Sequence, residues 1–216
     1  MDIQNLRWTR KPKDYEITEN RILITTAPHT DLWQRTYYHF RNDNAPVLQM
    51  ETEENYFSFT VKTSFANSHQ RFDPCGVAVY LDAENRLKAS VEYENGEFQH
   101  LGSVVTNGGY SDWATTEIPA SVRTMWYRLS RRGDDFCIEC SEDGTRFRQM
   151  RICHLHKGNG KNPLRHLRLL SRGFLVHRGI YGFCRYRMYV EGARRAAARL
   201  TELSSISTKQ TSKSFF

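Results

Sequence analysis

Tyr56-Phe-Ser-Phe-Thr-Val-Lys-Thr-Ser-Phe65 decides the fold class. Phe57, Phe59, Val61 and Phe65 fall on one side of an extended chain, and Ser58, Thr60, Lys62 and Ser64 on the other. A repeat of two is the signature of a strand with one buried face. The same pattern recurs on both sides. Gly76-Val-Ala-Val-Tyr-Leu-Asp82 and Leu87-Lys-Ala-Ser-Val-Glu-Tyr93 are strands, the second with Leu87, Ala89, Val91 and Tyr93 inward. Asn95-Gly96 then predicts a tight hairpin of the mirror-image type, which needs positive φ at both central residues. The return strand covers about 97–106.

Further along, Trp126–Ser130 and Phe136–Cys140 flank Arg-Arg-Gly-Asp-Asp, a second hairpin. Ser141-Glu-Asp-Gly144 is a turn, Phe147–Leu155 follows it, and Phe183–Val190 is the last clear strand. About ten short strands without a long amphipathic helix predict an all-β sandwich or barrel. The chain has 216 residues and 39% hydrophobic content, enough for a real core. We read residues 1–192 as one β-sandwich domain. Residues 193–203 carry high helix propensity, so 193–216 reads as a short basic helix with a Ser/Thr-rich tail. Residues 157–163 form a Gly/Asn/Lys loop.

No run reaches the roughly 18 apolar residues of a membrane helix, and the N-terminus lacks a signal-peptide core. The five cysteines are odd in number and carry no disulfide spacing. Free thiols and a cytoplasmic location are the expectation. The net charge of +7 is unevenly spread. Residues 145–216 hold 16 basic and 2 acidic side chains, against 15 and 22 before them. Such a block could face a polyanion, yet charge asymmetry along a sequence need not survive folding. Tyr181–Tyr189 interleaves aromatics with Arg185 and Arg187, but no nucleic-acid module accompanies it, and nucleic acid is not expected as a partner.

An ordered series of motifs carries a resemblance. Thr30-Asp-Leu-Trp-Gln-Arg-Thr-Tyr-Tyr-His-Phe40 is followed by Asp43-Asn44, Phe72-Asp73 with Gly76, Leu87-Lys88 with Glu92-Tyr93, Val104-Val-Thr-Asn, Ser111-Asp-Trp113, Asp143-Gly144 and Arg151. The series resembles the regulation-of-enolase family of concanavalin A-like proteins, a group of unknown function. The resemblance implies a jelly-roll sandwich of two antiparallel sheets whose concave face binds a ligand. It departs from the pattern at Tyr37, Ala45-Pro46, Pro74-Cys75 and Arg86, so two family-like histidines are missing.

Lys88, Ser90 and Glu92 share one strand face and could line a groove. Trp33 and Trp113, with Asp31 and Asp112, are the residue types that stack on sugars and accept their hydroxyl hydrogens. The expected ligand-binding set is therefore Trp33, Tyr37, Lys88, Glu92, Asp112, Trp113 and Arg151, on the concave face. The leading expectation is non-catalytic recognition of a carbohydrate or sugar phosphate, regulatory in carbon metabolism. A carbohydrate-active enzyme using Glu92 as general acid/base is the alternative, and a module that binds a metabolic enzyme is a third. Glu92-x-Glu94-x-x-Glu97 suggests a retaining glucanase, but the Asn95-Gly96 turn interrupts it. Cys137-x-x-Cys140 with Cys153-His154-x-His156 has zinc-ligand residue types, yet residues three apart on a strand point to opposite faces. No metal and no cofactor are expected.

Overall fold

The computed structural model describes residues 6–18, 21–52, 54–65, 74–156, 167–173 and 183–191. These residues form strands β1 (Arg7–Thr9), β2 (Asp14–Thr18), β3 (Arg21–Thr25), β4 (Leu32–Gln34), β5 (Arg41–Asp43), β6 (Val47–Thr52), β7 (Tyr56–Ser64) and β8 (Pro74–Asp82). They continue with β9 (Asn85–Tyr93), β10 (Phe98–Asn107), β11 (Tyr110–Pro119), β12 (Thr124–Arg132), β13 (Asp135–Ser141), β14 (Arg148–His154), β15 (Leu167–Gly173) and β16 (Phe183–Glu191). The expected helix and tail at 193–216 and the 157–163 loop lie outside the described residues.

Two seven-stranded antiparallel sheets stack face to face, with a two-stranded β4–β5 ribbon beside them. The first sheet runs β1-β6-β15-β8-β9-β10-β11, the second β14-β13-β12-β7-β16-β3-β2. Sequence neighbours are interleaved across the two sheets, as in a concanavalin A-like jelly roll. The core is the set of inward faces. Phe57, Phe59 and Val61 of β7, with Phe65 just beyond it, meet Val77 and Val79 of β8 and Leu87, Ala89 and Val91 of β9. Leu129 of β12 and Ile138 of β13 close it. Each inward aromatic or branched aliphatic side chain contributes about 1.5–3 kcal/mol when fully buried, which fixes the register, since a one-residue slip would turn every one of them to the other face.

The turns divide into confirmed and corrected ones. Gly133 (φ 62°) closes the β12–β13 hairpin, with Arg132 opposite Asp135. Ser141–Gly144 turns around Asp143, whose carboxylate accepts hydrogen bonds from the Thr145 and Arg146 amides and the Ser141 hydroxyl. The β9–β10 connection is different from its expected form. Neither Asn95 nor Gly96 has positive φ. Instead the Asn95 side-chain oxygen accepts from the Glu97 and Phe98 amides, a side-chain turn over a four-residue loop. The double positive-φ turn lies one hairpin later, at Gly108 (56°) and Gly109 (79°).

The thiol expectation also needs correction. Cys137, Cys140 and Cys153 are free, but Cys75 is disulfide-bonded. Cys140 lies in the core and Cys137 on the opposite face of β13, so their three-residue spacing separates them.

Candidate functional site

The site grows out of the outer face of β9. Leu87, Ala89 and Val91 point into the core, so Arg86, Lys88, Ser90 and Glu92 point away from it. All four are nevertheless buried. A charged residue covered to this degree must be paired, and each of these is.

At the upper end, Arg86 donates to Asp43 Oδ1 at 2.7 Å and to the Ala83 carbonyl at 2.5 Å. Asp43 also accepts from the Tyr80 hydroxyl (2.7 Å) and from Arg10 (3.2 Å). Burial pulls the Arg86 guanidinium below its ordinary range, and Asp43 opposes that shift. This cluster clamps β5 onto the sheet. A small apolar nucleus of Leu32, Ala45, Val47, Ala78 and Tyr80 backs it.

Below the clamp the chemistry changes. Lys88 Nζ lies 3.2 Å from Asp31 Oδ1 and 3.8 Å from Glu92 Oε1. The Ser90 hydroxyl between them donates to the same Glu92 oxygen at 3.3 Å. Asp31 is itself oriented: its Oδ1 accepts from the Leu32 amide (2.6 Å), and its backbone is tied to Asn44 on both sides. Two carboxylates therefore share one ammonium on a sheet face.

The register supplies the rest. Ser90 stands opposite Gly76 of β8 and Gly102 of β10. The row through Ser90 therefore has no side chain on either neighbouring strand. A Cβ on Gly76 would collide with the Ala89 carbonyl and the Ser90 Cα. A Cβ on Gly102 would come within 3.0 Å of Trp113 Nε1 and 3.3 Å of the Thr115 methyl. This row forms the floor of what we call the trough, and it is covered: Ser90 is 2% exposed, and Gly76 and Gly102 are buried. Lys88, Val104 and Trp113 form the row along one margin. Glu92, His100 and Glu117 form the row along the other, with His100 Nδ1 4.0 Å from Glu94 Oε2.

Aromatic rings crowd one end. Trp33 is buried, its Nε1 donating to the Thr36 carbonyl at 3.2 Å. Around it stand Trp113 (ring centroids 6.3 Å, edge-on), Tyr38 (5.7 Å, edge-on) and Phe40 (6.3 Å). Tyr37 lies 5.1 Å from Tyr38 and is 83% exposed.

The structure thus splits the seven expected residues. Lys88, Glu92 and Trp113 share the outer face, with Trp33 behind Trp113 and Tyr37 on the loop beyond. Asp112 and Arg151 are elsewhere. Asp112 stands opposite core-facing Val105, and its carboxylate pairs with Arg151 of β14 at 3.0 Å. Arg151 also reaches the Ser103 hydroxyl at 3.5 Å. That pair ties the two sheets together along their edge, not the trough. Period two held the reason: adjacent residues 112 and 113 of one strand cannot line the same face. Gly102 and His100 do not stand out in the sequence, and Gly76, Tyr38 and Phe40 enter it only within a strand or the motif series, whereas Ser90 and Asp31 are read there beside the binding residues. The glycines carry no chemistry of their own, and only the register shows what they leave open.

With this geometry in view, the chain can be set beside known proteins. It matches the family described as "Protein of unknown function (DUF1349)" over residues 8–165. The chain belongs to this family. No curated protein matches it. Among solved structures it is similar to a functionally unknown protein from Saccharomyces cerevisiae, at 22% identity and a TM-score of 0.75, covering 89% of this chain and 98% of that one. It is also similar to the GH43 protein BlXynB from Bacillus licheniformis, at 14% identity and 0.65, covering 85% of this chain and 36% of that one. A xylan beta-1,4-xylosidase from Bacillus halodurans C-125 gives 12% and 0.59, with 78% and 32% covered. Likenesses this distant establish the fold alone. The chain spans about a third of the length of each of those two proteins. Among the described residues, no helix is long and apolar enough to cross a membrane.

Proposed function

We propose that this domain binds a neutral carbohydrate, without turning it over, in the trough on the outer face of its first sheet. The observation that carries the reading is the Lys88–Ser90–Glu92 file, buried and paired, with bare glycine on both sides and an indole at its margin. Sugar recognition asks for those parts: a ring face to stack on, and fixed acceptors and donors for hydroxyl groups. Lys88 faces two carboxylates. Its charge is matched locally, which favours hydroxyl groups over phosphate or carboxylate as ligand chemistry. The occurrence of the same fold within a GH43 protein and within a xylan beta-1,4-xylosidase supports a carbohydrate-related role. The ordered motifs keep the regulation-of-enolase likeness within this reading, as a regulatory binding module.

A calorimetric titration against neutral oligosaccharides, uronic acids and sugar phosphates tests it. Binding of a neutral sugar that Glu92→Gln weakens at least tenfold supports the reading. No binding by any neutral sugar, or equal binding by the variant, overturns it.

One arrangement favours a second reading. Asp31 and Glu92 both approach a single ammonium on a covered face, and paired carboxylates can serve as general acid and base. His39 is exposed on the 35–39 loop, apart from this pair. Release of reducing ends from the same oligosaccharides, lost in Glu92→Gln, would establish turnover.

A further inference from the structure

The loop between β4 and β5 is built in an unusual way. Arg35, Tyr37 and His39 all have positive φ (54°, 61° and 60°), and none is glycine. The Thr36 amide donates to the Gln34 carbonyl at 2.7 Å, and the Tyr38 amide to the Thr36 carbonyl at 2.6 Å. These are three-residue turns centred on Arg35 and Tyr37, a strained form when the central φ is positive. Strain of this kind persists only where surroundings hold it. Here the holder is Arg35. Its guanidinium donates to the Gly109 carbonyl (2.6 Å) and to Glu84 (3.0 Å), and lies 5.4 Å from the Tyr110 ring centre. The loop is thereby pinned to the β10–β11 turn.

What the strained loop presents is aromatic surface. Tyr37 is 83% exposed, Tyr38 53% and Phe40 45%. A stable fold gains nothing from rings left in water, and clustered exposed rings mark a binding surface. They also continue the trough. Ring contacts run from Trp113 at its margin through Trp33 to Tyr38 and on to Tyr37. A single sugar ring can stack on one such platform, not on the whole series.

We propose that the ligand is an extended glycan of three or more units, and that Tyr37 and Tyr38 form a second stacking subsite beyond Trp113. This rests on the carbohydrate reading above and adds chain length to it. The strained loop positions the second platform before the ligand arrives, which lowers the ordering cost of binding.

The test uses the full chain and three probe series: β-1,4-linked xylose, glucose and mannose oligomers of one to six units. For the series that binds, affinity should rise about tenfold or more from one unit to three and then level off. The Y37A/Y38A variant should flatten that rise, lowering affinity for three units and longer far more than for one. Y37A alone, which removes the most exposed ring, should flatten it in part. Affinity independent of length, or an equal loss at every length in Y37A/Y38A, overturns the second subsite while the trough stands. If no member of any series binds, the carbohydrate reading itself falls.

Discussion

The Lys88 ammonium lies 3.8 Å from the Glu92 carboxylate although the two residues are four apart on one strand. Their Cα atoms are therefore about 13 Å apart, and the side chains lean toward each other over Ser90. They can do so because Gly76 and Gly102 leave the neighbouring strands bare at that level. Lys88→Met should leave Asp31 and Glu92 facing each other without a counter-charge. Urea unfolding should then show a loss of about 3–5 kcal/mol, the size expected when one partner of a covered pair is removed. Lys88→Met/Glu92→Gln should recover part of that loss, because the remaining uncompensated charge is smaller.

The two floor glycines should respond differently to the same change. At Gly102 a methyl group meets the end of the Trp113 side chain, which can move. Gly102→Ala should alter stability by no more than about 1 kcal/mol and weaken sugar binding several-fold by displacing the indole. At Gly76 the methyl group meets the backbone of β9, which cannot yield. Gly76→Ala should cost about 3 kcal/mol. Thermal melts of the two variants side by side give the comparison.

Asp43 is the counter-charge of Arg86 and the acceptor of the Tyr80 hydroxyl. Asp43→Ala should leave a fully buried guanidinium partly unmatched and cost about 3 kcal/mol or more. Amide exchange should show the loss concentrated in β4 and β5, which this clamp holds to the sheet. A loss spread evenly over both sheets would contradict that role.

Burial pushes the Cys137 and Cys153 thiols up to about 11. The protonated form is the one the fold favours. Their contribution to stability is therefore complete below the unfolded thiol value near 9 and is lost as pH rises through 11. The fall in urea midpoint between pH 8 and pH 10.5 should be smaller in Cys137→Ser/Cys153→Ser than in the wild type. Both thiols should also react with iodoacetamide at pH 8 about a hundredfold more slowly than a free thiol, since the thiolate is the nucleophile.

The strands that the sequence disclosed most plainly are those with one buried face. β7, β9, β12 and β13 alternate because the opposite sheet covers one side of each. β4 and β5, Leu-Trp-Gln and Arg-Asn-Asp, are too short and too polar to alternate. β11 is an edge strand, exposed along most of its length, so Ser111-Asp-Trp-Ala-Thr-Thr-Glu117 carries no alternation from which a strand is read. The trough was partly legible. Lys88, Ser90 and Glu92 could be assigned to one face from β9 alone. That Trp113 joins them, and that Asp112 does not, depends on how β11 pairs with β10. Asn95-Gly96 misled for a local reason: the Asn95 side chain takes the amides that a mirror-image turn would have left to the backbone.

The central claim is that a carbohydrate binds beside Trp113. The chain has four tryptophans, and their indole N–H groups give separate proton–nitrogen NMR signals. Trp126 belongs to the second sheet and Trp8 to β1, the far edge of the first. On titration with the oligosaccharide series, the Trp113 and Trp33 signals should move together and saturably, while those of Trp8 and Trp126 stay in place. Movement of Trp8 or Trp126 without Trp113, or no movement of any indole at saturating sugar, would contradict the account.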